Sequence, residues 1–280
     1  MKNILLPFYD DAVSRHAFAV AAQLARKTNG YVEGLFVLRR PQVLDGDGQM
    51  LGDTHFTQLI EECRAAAARA RAHFEACAAE EGLAIESIGA SRVAAAGWRE
   101  LEGTEEQVVG SHGRLFDVIL VGRDFGHAWL NWRTFVESGL FESGRPVIVT
   151  AAAPATSFAE NVVIAWNSST ETARTIAVAM PVLSRARSVT VLSVEGWGVP
   201  GPTGKDLAVY LSRAGVPAVA RIAARDGRSP GETILYECGR MGADLLIKGA
   251  YTQSRLRQLI FGGATRHVLA HAQLPLLLAH

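Results

Sequence analysis

Short apolar runs alternate along this chain with longer segments of helical periodicity. The runs are rich in Val, Ile and Leu, and they lie at residues 3–6, 31–38, 84–89, 117–121 and 146–150, then at 161–166, 188–194, 217–223, 244–248 and 275–279. Continuous apolar runs are typical of strands that helices cover on both faces, as in parallel sheets. The alternation therefore predicts an α/β protein built from doubly wound parallel sheets.

The segments between the runs carry apolar residues at the spacing of amphipathic helices. The clearest of them lie at residues 11–27, 55–81, 170–184, 205–214 and 231–241. Each half of the chain is then expected to contain five strands and four helices. Residues 39–54 follow neither period and predict an irregular insertion, which is either a lid or contact segment or a plain surface loop.

A long internal repeat divides the chain. Four segments of the first half recur in the second, namely 2–7 as 160–165, 18–21 as 176–179, 116–122 as 243–249, and 145–149 as 274–278. A period this long exceeds that of solenoid repeats and predicts two fused copies of one domain. The small, proline-containing segment 151–157 suits a linker. We place the two domains at residues 1–153 and 158–280.

Charge and cysteine content narrow the classes of function. Lys plus Arg and Asp plus Glu are balanced at 28 each, which leaves no basic field for nucleic acid. Cys63, Cys77 and Cys238 form no CxxC pair, and we interpret them as reduced thiols of a reducing compartment. The apolar run at residues 4–8 is far too short for a signal peptide or a membrane span. We therefore expect a cytoplasmic protein without nucleic-acid or membrane partners.

Glycines follow the fourth predicted strand of the second half. Gly249 ends that strand, and the pair Gly262 and Gly263 precedes the last predicted helix. Ligands of doubly wound sheets bind beyond the carboxyl ends of the strands, where glycine permits close approach and helix amides attract anions. Arg255 adds positive charge between them. The spacing indicates a phosphate-binding loop, although such glycine turns are also common without any ligand.

Two sequence motifs and the long repeat together resemble the universal stress proteins, in particular the tandem type with two domains in one chain. The motifs are the N-terminal ILLPF and the C-terminal GAYTQSRLRQLIFGGATRHVLAHAQLPLLLAH. The resemblance is clearest at the C-terminus, and it implies two five-stranded parallel sheets of strand order 3-2-1-4-5 and a role in stress response. It also implies an internal pseudo-dimer paired through the last strands. Pro146 and Pro275 begin those strands and fit edge positions. Whether two chains form a homodimer is left open.

In nucleotide-binding members of this family, the loop after strand four reads G-x2-G-x9-G-S/T and wraps the phosphates of ATP. Gly249 and Gly262 match its first and third glycines, whereas Thr252 replaces the second glycine and Gly263 replaces the Ser or Thr. A β-branched residue at Thr252 would be strained if that position required a positive φ.

The resemblance implies that a specific set of second-half residues contacts ATP or another adenine nucleotide. Asn167 stands where the family has an Asp after strand one, and Val194 would offer its backbone at the end of strand two. The full set is Asn167, Ser169, Val194, Gly249, Thr252, Arg255, Gly262, Gly263, Ala264 and Thr265. Because the loop is half preserved, a second hypothesis stays open: a scaffold of the same fold that binds no nucleotide and acts through an unidentified protein partner.

The first half departs further from the nucleotide-binding pattern. Gly122 keeps the first glycine, but Arg123, Asp124 and several aromatic residues follow it. The acidic pair Asp10 and Asp11 follows the first strand, where it would repel a phosphate. We expect this half to serve structure, partner contact or a different ligand.

Enzymatic activity is not expected beyond a slow, incidental hydrolysis of ATP, because no residue of the loop is placed as a general base. An ATP pyrophosphatase of a related group would need SGGxDS after strand one, and neither 8–10 nor 167–169 supplies it. That third hypothesis is disfavoured.

Several polar residues invite a catalytic or metal-binding interpretation that the pattern does not favour. Asp117 and Asp244 resemble paired catalytic carboxylates, but they precede corresponding strands at the amino end, away from the ligand edge, which indicates helix-end or turn roles. His267 and His271 lie four residues apart without a nearby acidic or thiol ligand, which favours a polar helix face over a metal site. Trp98 is expected in a loop after the third strand, where it would act either as a lid or in packing.

Overall fold

The computed structural model describes residues 1–39, 53–86, 93–124, 131–151, 155–250 and 263–280. In the first half the elements are β1 (Asn3–Pro7), α1 (Ala12–Thr28), β2 (Tyr31–Leu38), α2 (Asp53–Glu80), β3 (Ala84–Ile85), β4 (Ala95–Glu102), α3 (Glu105–His112), β5 (Val118–Gly122), α4 (Trp132–Glu137) and β6 (Val147–Thr150). In the second half they are β7 (Asn161–Ala165), α5 (Thr170–Leu183), β8 (Ser188–Val194), α6 (Gly204–Arg213), β9 (Ala218–Ala223), α7 (Pro230–Arg240), β10 (Leu245–Gly249), α8 (Gly263–His271) and β11 (Leu276–Ala279). A 3-10 turn at Gly113–Leu115 and a π-helical segment at Ser138–Ser143 complete the described elements.

The described strands form one sheet of 11 strands in the order β3-β4-β2-β1-β5-β6-β11-β10-β7-β8-β9. Without the short β3, each half has the predicted order 3-2-1-4-5, and within each half the pairing is parallel. The last strands of the halves, β6 and β11, pair antiparallel with Ile148 opposite Leu277. The predicted α/β fold with doubly wound, mostly parallel strands is confirmed.

The third strand of the first half differs from its prediction. It was expected at residues 84–89, of which 87–89 lie outside the described residues, but β4 takes this place and pairs with β2 along its whole length. Trp98, expected in a loop after the third strand, lies within β4 and packs against Phe74 with ring centroids 5.4 Å apart. Only the first three residues of β4 are buried, so this strand lacks the continuous apolar run that marks its neighbours.

The expected insertion at 39–54 is only partly described. Helix α2 begins at Asp53, inside that range, and residues 40–52 lie outside the described residues. Arg39 forms an ion pair with Glu105 at the start of α3. Its side chain therefore ties the end of β2 to the next helix.

Side-chain caps set the starts of several helices. Ser229 accepts a hydrogen bond from the amide of Glu232 at 3.3 Å, and the Glu232 carboxylate accepts one from the amide of Ser229 at 2.7 Å. Thr203 and Asp206 form the same reciprocal pair at the start of α6. These pairs satisfy amides that the first turn of a helix leaves without partners.

The apolar core has two layers, one on each face of the sheet, and both cross from one half to the other. Ile148 and Leu277 belong to one layer, and Val149 and Leu276 belong to the other. Phe158 is fully buried in the first of these layers. The halves therefore share their cores along the β6–β11 seam. The domain boundaries at 153 and 158 stay a prediction, and residues 152–154 lie outside the described residues.

Asp117 and Asp244 have the same structural role in the two halves. Asp117 Oδ2 accepts hydrogen bonds from the amides of Lys2 at 2.6 Å and Asn3 at 2.9 Å. Asp244 Oδ1 accepts one from the amide of Asn161 at 2.8 Å. Each carboxylate fixes the beginning of the first strand of its half, so both are structural, although at a strand start rather than at the predicted helix end or turn.

The three cysteines are free thiols, with Cys77 and Cys238 buried. Burial raises the pKa of Cys77 to about 11 and that of Cys238 to about 12, so both thiols stay protonated near neutral pH.

None of the helices in the described part of the chain combines the length and the apolar character needed to cross a membrane.

Candidate functional site

The loop after β7 is organised around the first turn of α5. Asn167 is 5% exposed, and its Oδ1 accepts hydrogen bonds from the Ser169 amide at 3.3 Å and from Thr172 Oγ1 at 2.7 Å. Ser169 caps α5, since its Oγ accepts from the Thr172 amide at 3.3 Å. The carboxamide oxygen that stands in place of the family's Asp is thus held by the protein itself.

The segment after β8 lies across Asn167. The carbonyl of Val194 accepts a hydrogen bond from the Trp197 amide at 3.1 Å, and the Asn167 carbonyl accepts one from the Val199 amide at 3.0 Å. A Cβ added at Gly198 would lie 3.2 Å from the Asn167 oxygen. The carbonyl of Val194, expected to contact the nucleoside, therefore already accepts a hydrogen bond within the protein. The segment around Gly198 also packs closely on the neighbouring Asn167.

Gly249 has a packing role in this structure. A Cβ at this position would lie 2.6 Å from the backbone nitrogen of Thr172. Real Cβ atoms do not approach backbone this closely, so only glycine allows the first turn of α5 to rest on the end of β10. The glycine that was expected to approach a phosphate thus already meets a helix.

Lys248 is the residue of this edge that the sequence analysis did not single out. Its side chain is 2% exposed, and Nζ donates hydrogen bonds to the Gly249 carbonyl at 3.0 Å and to Thr265 Oγ1 at 2.7 Å. Nζ also lies 5.5 Å from the ring centroid of Trp197. Burial lowers the pKa of Lys248 from 10.5 to about 8. In the sequence, the lysine at the end of the apolar run 244–248 could have pointed to a buried charge at this edge.

Thr265 brings the last helix into the same site. It is 3% exposed and lies in the first turn of α8, which begins at Gly263. Gly263 is exposed, with no heavy atom within 4 Å of an added Cβ, and Ala264 is half-buried. Thr252, Arg255 and Gly262, which the sequence assigned to the site, lie outside the described residues.

The described residues of the predicted set therefore meet at one edge of the sheet. Asn167, Ser169 and Gly249 surround the first turn of α5, and Val194 ends the neighbouring strand. Thr265 joins them through its hydrogen bond with Lys248.

The corresponding edge of the first half is filled by aromatic side chains. Tyr9, which follows β1, is 1% exposed. Its ring centroid lies 5.2 Å from that of Phe36 and 6.3 Å from that of Phe135. Burial raises the pKa of Tyr9 well above its usual value. The Arg123 side chain points toward α8, where its Nη1 donates a hydrogen bond to the Leu269 carbonyl at 3.2 Å. Aromatic side chains thus fill the described part of this edge.

His267 and His271 stack on α8 with ring centroids 4.3 Å apart. His271 Nδ1 lies 2.9 Å from the His267 carbonyl, within hydrogen-bond distance. In the described ranges, no group of three or more His, Cys, Asp and Glu side chains could hold a metal ion.

Doubly wound α/β folds bind their ligands at the carboxyl ends of the strands, where the described polar residues lie. Residues 189–280 match the sequence model described as the universal stress protein family. The resemblance to that family seen in the sequence is confirmed over this part of the chain. A curated relative, "Stress response protein NhaX" of Bacillus subtilis (strain 168), is 35% identical over 49 residues. This match covers 18% of the chain and 30% of the relative, so the chain spans less than a third of that relative's length.

Solved structures support the fold over the whole chain. A universal stress protein from Archaeoglobus fulgidus DSM 4304 superposes with a TM-score of 0.71 at 16% identity, covering 99% of this chain and 97% of that one. A putative universal stress protein from Pseudomonas aeruginosa UCBPP-PA14 gives 0.56 at 14% identity, covering 100% and 93%. At such low identities, these likenesses establish the fold alone.

Proposed function

We propose that the protein is a cytoplasmic stress-response protein of the universal stress type whose second half binds an adenine nucleotide. The ligand would lie at the carboxyl ends of β7, β8 and β10. One observation carries this proposal: the buried ammonium of Lys248 is hydrogen-bonded to Thr265 in the first turn of α8, at 2.7 Å. A positive side chain at a helix start favours the phosphates of a nucleotide.

The described residues suggest how the nucleotide would be divided along this edge. The first turn of α8, with Gly263 and Thr265, would face the phosphates. Asn167 and the backbone of Val194 would face the nucleoside, after the segment at Trp197 moves. Among the described residues of the site, no carboxylate or histidine stands as a general base. We therefore propose binding rather than catalysis, with any ATP hydrolysis slow and incidental.

A scaffold that binds no nucleotide is the second candidate, and one observation favours it. The segment from Trp197 to Val199 closes over Asn167, while Pro202 O accepts hydrogen bonds from Trp166 Nε1 at 2.9 Å and from Ser168 Oγ at 2.8 Å. In this candidate, the cover keeps the protein's own chain at the position proposed for the nucleoside. A scaffold would then act through surfaces presented to protein partners.

The experiment that separates these candidates begins with purified protein. It is denatured, any released nucleotide is identified by mass, and the ligand-free protein is titrated with ATP and AMP by calorimetry. Gly263→Leu adds a bulky side chain at an exposed position with open space around it, so it blocks the helix start without disturbing the core. Gly239→Leu, exposed on α7 with equally open surroundings, is the matched control.

One nucleotide per chain, lost in Gly263→Leu and retained in Gly239→Leu, is the expected result. An absence of released nucleotide together with no heat at millimolar ATP would overturn the nucleotide proposal. The scaffold would then be the remaining candidate.

A further inference from the structure

We propose that Lys248 is the anchor for an anionic group in the second half, where its ammonium, the hydroxyl of Thr265 and the first amides of α8 receive a phosphate. This inference rests on the proposed function for the position of the ligand. It adds a side chain to a site that the sequence assigned to a glycine loop. The ligand class, a phosphate ester or polyphosphate, is taken over from the proposed function.

The charge of Lys248 is buried without a compensating anion. Its side chain is 2% exposed, and among the described residues no carboxylate oxygen lies within ion-pair distance of Nζ. The sequence from 251 to 262 contains no Asp or Glu, so the segment that follows β10 supplies none either. Burying an unpaired charge is costly, and a bound anion would remove that cost.

The geometry aims this charge at the start of α8. Two of the three ammonium hydrogens are used, toward the Gly249 carbonyl and Thr265 Oγ1, and the third has no acceptor among the described residues. Helix α8 runs from Gly263 to His271, so its positive dipole end lies beside Thr265. The Trp197 ring, 5.5 Å from Nζ, provides an apolar wall that strengthens electrostatic attraction nearby.

The first half provides an internal comparison. Because residues 116–122 correspond to 243–249, Val121 occupies the position of Lys248. Val121 is fully buried in the apolar layer and carries no charge. Of the two corresponding positions, only the one in the second half carries a charged side chain. The aromatic packing around Tyr9 in the first half agrees with this difference.

The pKa of Lys248, lowered to about 8 by burial alone, supports the geometry. No charged neighbour contributes to this shift. An anion placed at Nζ would stabilise the charged form and raise the pKa. The chain contains four lysines, Lys2, Lys27, Lys205 and Lys248, so side-chain nitrogen signals can be resolved by NMR.

The test uses calorimetry with ATP, inorganic pyrophosphate and adenosine on the full chain. Lys248→Met keeps the length of the side chain and removes its charge, and Lys205→Met changes an exposed lysine on α6 as the control. We expect ATP and pyrophosphate to bind roughly tenfold or more weakly to Lys248→Met, as for loss of a hydrogen bond to a charged group. Adenosine affinity should stay unchanged in both variants.

The outcomes separate this inference from the proposed function. Equal ATP and pyrophosphate affinity in wild type and Lys248→Met would overturn the role of Lys248 and leave nucleotide binding standing. Pyrophosphate binding that Lys248→Met loses, without any ATP or adenosine binding, would support the anchor and overturn the nucleotide. If the wild type binds neither ATP nor pyrophosphate, both proposals fail.

A second measurement keeps the inference testable if Lys248→Met does not fold. The pH titration of the Lys248 side-chain nitrogen is followed by NMR in wild-type protein, with and without pyrophosphate. A midpoint that rises on adding pyrophosphate supports the anchor. An unchanged midpoint at saturating pyrophosphate overturns it.

Discussion

Lys248 Nζ donates a hydrogen bond to Thr265 Oγ1 over 2.7 Å, and this bond joins the end of strand β10 to the first turn of helix α8. Both residues are almost completely buried, at 2% and 3% exposure. The strand and the helix follow one another among the described elements. A buried polar bridge of this kind fixes where the helix starts relative to the sheet, while its charge is unfavourable in an apolar setting.

Replacing Lys248 by Met should stabilise the ligand-free protein at pH 7. The difference between 10.5 for the lysine and about 8 in the folded state corresponds to on the order of 3 kcal/mol. Because the unfolded chain binds more protons between these pH values, wild-type stability gains from this group as pH rises from about 8 to 10.5. Well below pH 8, Lys248 is charged in both states, and the destabilisation from burying its charge is fully present.

Urea unfolding of wild type and Lys248→Met at pH 7 and pH 10 checks this prediction. The stability advantage of the variant should shrink at the higher pH, because the lysine is then largely neutral in the folded state. Other titrating groups cancel in the difference between the two proteins. A constant difference at both values would contradict the assigned burial.

Gly249→Ala should destabilise the protein by about 1–3 kcal/mol, because the new Cβ would press on the backbone of Thr172 and displace α5. Gly239→Ala on α7 is the matched control, since open space surrounds that position. Its helix should gain up to about 1 kcal/mol. Denaturant unfolding of both variants measures the contrast. Equal stability of the two would show that Gly249 is not needed for packing.

Asp117→Ala and Asp244→Ala should each cost about 0.5–1.5 kcal/mol, because the amides at the start of the first strand lose a carboxylate acceptor. Similar losses for both, by chemical denaturation at pH 7, are expected from their shared geometry. A loss in only one variant would mean that the two carboxylates are not equivalent.

Asp117 should also contribute to acid sensitivity. Burial alone would raise the pKa of this carboxyl, but hydrogen bonds from the Asn3 and Lys2 amides outweigh it and hold the pKa below 3.8. A lowered pKa in the folded state gives stability that is present above the unfolded value and is lost as pH falls through the folded one. Wild type should therefore lose more stability than Asp117→Ala between pH 5 and strongly acidic conditions. Parallel losses would argue against the lowered pKa.

Leu277→Ala at the seam should destabilise both halves together by about 2–5 kcal/mol. Leu277 and its partner Ile148 are fully buried in one continuous apolar layer. Fluorescence of single-tryptophan variants retaining either Trp98 or Trp166 should report the same unfolding midpoint. Leu115→Ala, 75% exposed, should leave the midpoint in place. Two separate transitions would show that the halves unfold independently.

Most strands could be predicted because they appear as apolar runs between helical segments, whereas their order was implied by the family resemblance. Strand β4 could not be predicted, since its outer part is exposed and carries Arg99, Glu100 and Glu102. Because β4 does not appear as an apolar run, the sequence predicted that Trp98 lies in a loop rather than in this strand. In a strand with one open face, the tertiary position decides which residues are apolar, and a single sequence does not display that position.

The predicted residues could be placed together, but their contacts could not be predicted. The family resemblance assigned Asn167, Gly249 and Thr265 to one edge, and the structure brings these three residues there. Spacing could not show that Gly249 meets Thr172 or that Trp197 covers the loop, because those contacts join distant segments. Lys248 was hidden by its surroundings, since a charged residue within an apolar run does not change the assignment of the strand.

The antiparallel pairing of β6 with β11 also sets where the candidate site edges of the two halves lie relative to each other. All strands of one half run parallel to its last strand, so the carboxyl ends of β1 and β5 lie on the opposite rim of the sheet from those of β7 and β10. The rim with Lys248 and the rim with Tyr9 thus look away from each other. A small molecule held at one and a macromolecule docked at the other would never compete for space.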